Sequence, residues 1–205
     1  MEVSSKVLAT LFSVATVVSL VGCSGSATTT AGSPVMPMVT SSPLPPLPPP
    51  PPPTGSVGGI DVTIAAEDSA PLLRPGGGPV AFTVTLTNTT PADIPEVGMV
   101  VSFGHCSCGY PGASMMPAGS MRLLDPDSKT WVAVPYVAEG TGTDYLNATL
   151  VPPFVLKQGQ TITYQLEAQL DANPDVTAGT SLMTVTIKTP AGGGQAASLP
   201  VTVEP

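Results

Sequence analysis

The residues whose types could do chemistry fall in one short window. His105-Cys106-Ser107-Cys108 places the sole histidine beside two of the three cysteines, and Met99, Met115, Met116 and Met121 lie close by. Thiolate, thioether and imidazole form the donor set that Cu(I) prefers, and zinc accepts thiolates and imidazole. Cysteines at i and i+2 converge on one ion if the chain turns there, and Gly104 and Gly109 permit a turn. The same spacing allows a disulfide that closes a very small, strained ring, or two free thiols. The methionines read equally well as core or loop filler, and His105 as an exposed loop residue. Three readings therefore stand side by side. One is a copper site of His105, Cys106, Cys108, Met115 and Met116. Another is a structural Cys106–Cys108 bridge. The last is a thiol–disulfide pair, although it lacks the Cys-x-x-Cys spacing and helix N-terminus that lower a thiol's pKa.

Catalysis finds little else to work with, and the chain is expected to be non-catalytic. A nucleophile needs a base within hydrogen-bond reach, oriented by a third group. His105 and Cys106 are neighbours, and in an extended chain they point to opposite faces. No Gly-x-Ser-x-Gly, phosphate loop or dinucleotide fingerprint is present. Asp125, Asp127 and Asp144 suggest calcium, but Asp125-Pro126-Asp127-Ser128 reads more simply as a turn. Asn88-Thr89-Thr90 and Asn147-Ala148-Thr149 match the glycosylation sequon, which is taken as coincidental.

Fourteen acidic residues against six basic ones give a net charge of −8. That balance excludes nucleic acid and polybasic adhesion to anionic lipid.

Delivery is written at the amino terminus. Lys6 precedes an apolar run from Val7 to Val21, about the length of a signal h-region and too short for a comfortable membrane span. The run closes on Leu20-Val21-Gly22-Cys23, which resembles the lipobox of bacterial lipoproteins. The resemblance implies cleavage of residues 1–22, lipidation of Cys23 and a membrane anchor on the extracytoplasmic face, or at the outer membrane in a Gram-negative cell. Two acyl chains meet the requirement that stable anchoring needs more than one. In an exported chain Cys106 and Cys108 sit where a disulfide can persist.

Residues 23–59 are low in complexity, with proline at nearly every position from Pro43 to Pro53. Such a stretch has too little apolar surface to offset chain entropy. Proline fixes φ near −65°, so these residues are expected to form a polyproline II rod of roughly 34 Å, at about 3.1 Å per residue. They read as a spacer, ending in a flexible exit at Gly55–Gly59. The Ser/Thr/Pro mixture also resembles the O-mannosylated stretch of actinobacterial lipoproteins.

From Ile60 to the carboxyl end, apolar side chains recur every second residue. Ile60, Val62 and Ile64 show it, as do Val80 to Leu86, Ile162 to Leu170, Met183 to Ile187 and Leu199 to Val203. Val97–Phe103 is more continuously apolar, and Met121–Leu124 and Trp131–Val137 flank the Asp-Pro-Asp-Ser turn. Alternation at this period marks strands buried on one face. Trp131 is expected in the core. Seven to nine strands over residues 60–205 make an all-β, antiparallel sandwich the natural solution. Val80 to Thr89 and Leu156-Lys-Gln-Gly-Gln-Thr-Ile-Thr-Tyr164 are similar to strands of immunoglobulin-like and fibronectin-like modules of bacterial surface proteins. The resemblance implies a fold and a binding or structural role toward an envelope protein or glycan, with no cofactor.

Overall fold

The computed structural model describes residues 51–67, 71–138 and 144–205. Signal residues 1–22, Cys23 and the linker up to Pro50 lie outside them.

The fold is an all-β, largely antiparallel sandwich of two sheets. Its strands are β1 (Thr54–Val57), β2 (Ile60–Ala66), β3 (Leu72–Leu73), β4 (Val80–Asn88), β5 (Ile94–Phe103), β6 (Cys106–Gly109) and β7 (Ala113–Met115). They continue as β8 (Gly119–Leu124), β9 (Trp131–Val134), β10 (Val137–Ala138), β11 (Phe154–Leu156), β12 (Thr161–Leu170), β13 (Gly179–Thr189) and β14 (Gly192–Val203). One sheet runs β1-β2-β4-β12-β8-β9 and the other β10-β5-β13-β14-β3, with β11 on β5 and β6–β7 as a separate hairpin. The expected alternations become β2, β4, β8, β12, β13 and β14. Short strands that alternation does not reveal raise the number above the seven to nine anticipated. Two edge pairings, β10 on β5 and β14 on β3, are parallel and span two residues each.

The core lies between the sheets. Ile60, Val62 and Ile64 of β2, Val84 and Leu86 of β4, and Leu166 of β12 meet Met99, Met183, Val185, Ile187 and Val203 from the other sheet. The continuous apolar run becomes β5, buried from Val97 to Phe103 on both its faces. A strand covered on both faces has no need of alternation. On the outer face of the first sheet, threonines pair across strands, with Thr85 and Thr163 hydroxyls 3.0 Å apart and Thr87 and Thr161 likewise.

Residues 54–59, read as the end of the linker, belong to the first sheet. β1 pairs antiparallel with β2 around Gly58 and Gly59, both at positive φ (59° and 78°). A Gly-Gly pair is what a two-residue hairpin turn requires. Gly192–Gly194 are likewise strand residues, facing Ile187–Thr189.

Asn88 closes β4. Only 1% exposed, its amide donates to the Ala92 carbonyl at 2.8 Å and the Leu156 carbonyl at 3.0 Å. Its Oδ1 accepts from the Thr90 amide and hydroxyl. The sequon at this residue is thus filled by structure. Asn88→Ala removes both donors: the Leu156 carbonyl loses this bond, the Ala92 carbonyl keeps only the Thr90 hydroxyl, and the Thr90 groups lose their acceptor. We expect a stability loss of about 2–4 kcal/mol, read by urea denaturation.

Candidate functional site

Cys106–Gly109 form the short strand β6 with His105 just before it, and the period of two sorts these side chains. Cys106 and Cys108 are buried, whereas His105 and Ser107 are exposed. Alternate residues of an extended chain share a face, so the two sulfurs lie together on the core side. They form a disulfide, with Cα atoms 5.1 Å apart. That separation is shorter than the roughly 6.6 Å of an extended i, i+2 pair. The chain bends here, and the β6–β7 register shifts between Cys106 and Gly109.

β6 and β7 form a hairpin braced from one side. Thr177 donates to the Cys108 carbonyl through its amide (2.6 Å) and its hydroxyl (3.0 Å). Ser181 donates its hydroxyl to the Gly104 carbonyl at 2.8 Å, and the Gly104 amide donates to Leu182 at the same distance. β13 begins at Gly179 because nothing larger fits: a Cβ there would stand 2.6 Å from the Ser107 carbonyl oxygen. At the tip the Tyr110–Pro111 peptide is cis, and Gly112 takes a positive φ of 83°. Tyr110 is 81% exposed and Met116 47%. Met115 faces Cys106 across the ladder and packs partly on the core.

The donors expected for copper therefore separate. Cys106 and Cys108 hold each other. His105 turns outward, its Nδ1 3.2 Å from the Ser114 hydroxyl. Met99 and Met121 are core residues, Met115 is half-buried and Met116 faces solvent. Among the described residues no three His, Cys, Asp or Glu side chains gather as a metal site. The His105–Ser114 pair has no third group hydrogen-bonded to the imidazole among the described residues, and it is exposed. Asp125 spends its carboxylate on the turn, accepting the amides of Asp127 (2.9 Å) and Ser128 (2.7 Å). Those backbone donors hold its carboxyl below the usual range. The side chain of Asp144 lies outside the described residues.

Trp131, expected in the core, lies instead on the outer face of the first sheet. It pairs with Leu124 and stands 6.0 Å, ring centroid to guanidinium carbon, from Arg122. Arg122 in turn holds Glu167 at 2.6 Å. The pairing with β8 sets this face. Met121 and Leu123 point inward, so Leu124 and its partner across the turn point outward. The run Trp131-Val132-Ala133-Val134 has no polar member to reveal this.

No family model and no curated protein matches the chain. Solved structures resemble it only distantly. AvmM, which catalyses macrocyclization in alchivemycin A biosynthesis, is 10% identical, with 72% of this chain and 89% of that one covered at a TM-score of 0.46. A family 123 glycoside hydrolase from Clostridium perfringens is 7% identical, with 71% and 27% covered at 0.40. The PapD-like domain 7 of human CEP192 is 11% identical, with 82% and 95% covered at 0.32. At such scores the likeness says nothing of activity.

Tyr136 secures the chain leaving the hairpin, donating its hydroxyl to the Pro117 carbonyl at 2.8 Å. Burial, aided by the nearby Asp171 charge, raises its phenol well above the usual tyrosine range. Burial raises Tyr164 as well. In the unfolded chain these phenols lose their protons near pH 10, while the folded protein still holds them. The unfolded state is then favoured as pH rises. Stability should be level up to about pH 9 and fall above about pH 10. Tyr136→Phe should make that alkaline fall shallower in pH-dependent urea melts.

Proposed function

We propose that this chain is a lipid-anchored, extracytoplasmic binding module of a bacterial envelope, without catalytic activity of its own. Anchoring is inferred from Leu20-Val21-Gly22-Cys23 behind the apolar run, and the spacer role from the proline-rich stretch that follows. The observation that carries the binding role is the hairpin tip. A large aromatic, Tyr110, stands 81% exposed on a hairpin fixed from below by a buried disulfide and by β13. Tyrosine and methionine are enriched at protein interfaces, because they give large contact area. A braced tip loses little freedom on binding, so less of the contact energy is offset by ordering. The partner is taken to be another protein of the envelope.

The two halves of this reading separate experimentally. Cys23→Ala in the full chain should move the protein from the detergent phase to the aqueous phase in phase partitioning. If the variant stays in the detergent phase, the lipid anchor is refuted. A photo-crosslinking residue in place of Tyr110 should give a discrete protein adduct in intact cells. The same residue in place of Gln158, in the β11–β12 turn, should not. Equal adducts from both positions, or none, would refute the role of the tip.

A further inference from the structure

The outer face of the first sheet carries a second feature, independent of the hairpin and of the lipid. Across β2, β4 and β12 the register lines up Ala65, Thr83 and Gln165 in one row. These residues, with Ala81, floor a hollow of about 340 Å³, and Trp131 lines it from β9 at the sheet edge. The volume is at the low end of the roughly 300–1,000 Å³ of small-ligand sites. The hollow exists because the outward residues on these strands are small, whereas the tryptophan is large.

Apart from Thr83, whose hydroxyl donates to the Ala65 carbonyl at 3.4 Å, its polar groups are uncommitted. The exposed Gln165 amide and the Trp131 indole N–H make no hydrogen bond among the described residues, and Glu67 stands exposed beside Ala66. Arg122 is held by Glu167 at 2.6 Å with its guanidinium over one face of the indole, 6.0 Å from the ring centroid, so a ligand would stack on the other face.

We propose that this hollow binds a neutral glycan chain, with a pyranose ring stacked on Trp131. A pyranose is amphipathic in the same sense as the hollow. One face presents C–H groups to an aromatic ring, and the rim of hydroxyls both donates and accepts. Gln165 offers both functions at that rim, Glu67 accepts and the indole N–H donates. A purely apolar ligand would leave these groups unpaired, at a cost in free energy. A polyanion is disfavoured by a chain of net charge −8 whose one arginine near the site is already ion-paired.

The chain has a single tryptophan, so its emission reports on this site alone. The full chain should be titrated with cellohexaose, chitohexaose and mannohexaose, by fluorescence and by calorimetry. At least one should give a saturable change in emission. Trp131→Ala should weaken binding of that sugar at least about tenfold, and Trp131→Phe less, since a stacking face remains. Gln165→Ala should weaken it about three- to tenfold. Tyr110→Ser should leave it unchanged, which separates this site from the hairpin tip. Thermal midpoints of the variants, matched to the parent, show that the fold is retained. The proposal is overturned if none of the three sugars changes the emission, or if binding survives Trp131→Ala. It is also overturned if a peptide of residues 42–53 saturates the tryptophan signal while the sugars do not.

Discussion

A period of two residues is the constraint on which the rest of the molecule depends. Each long strand buries one face against the opposite sheet, so every other side chain must face water. The core of Ile60, Val62, Ile64, Val84, Leu86 and Leu166 is one consequence. The threonine pairs on the outer face are another. The same period operates outside the sandwich proper. It sends His105 and Ser107 outward and Cys106 and Cys108 inward, and so decides that two sulfurs meet each other rather than an imidazole. It also sends Trp131 outward. A one-residue slip of β9 on β8 would put that ring into the core and remove the hollow.

The two features read as surfaces for recognition are therefore products of folding. The hairpin tip is exposed because its base is tied down by a buried bridge and by hydrogen bonds to Gly104 and Cys108. The hollow is open because alanine and threonine occupy the outward positions beside a tryptophan. Neither assembles a nucleophile with an oriented base. On the proposed reading, a module that touches a protein with its tip and a glycan with its sheet would link two partners, a role in which shape matters more than reactivity.

Much of the fold was legible, because alternation is a local signal. β2, β4, β12 and β13 announce themselves by it, and β5 by its continuous apolar run. What was not legible depends on pairing. β1 holds a glycine and looks like linker, although Gly58-Gly59 between Val57 and Ile60 is a hairpin turn in its own right. Gly193 reads as a loop residue, yet a Cβ there would lie 2.4 Å from the Ile187 carbonyl oxygen, so the close approach of two strands requires glycine. The parallel contacts of β10 and β3 span two residues each, too few to leave a pattern. At the site, the opposed faces of His105 and Cys106 followed from strand geometry. The outward Trp131 did not, because its strand is apolar at all four positions.

The state of the two sulfurs tests this account most directly. A bridge buried under the hairpin leaves no thiolate to hold copper, and its burial keeps an attacking thiolate from its sulfurs; the proposed recognition role of the tip rests on that state. The full chain, exported and taken directly into alkylating reagent, should show Cys106 and Cys108 unlabelled and without bound copper or zinc. Both cysteines should label only after denaturation and reduction. Immediate labelling of either residue, or a stoichiometric metal lost in Cys106→Ser, would contradict the account and return the site to metal or thiol chemistry.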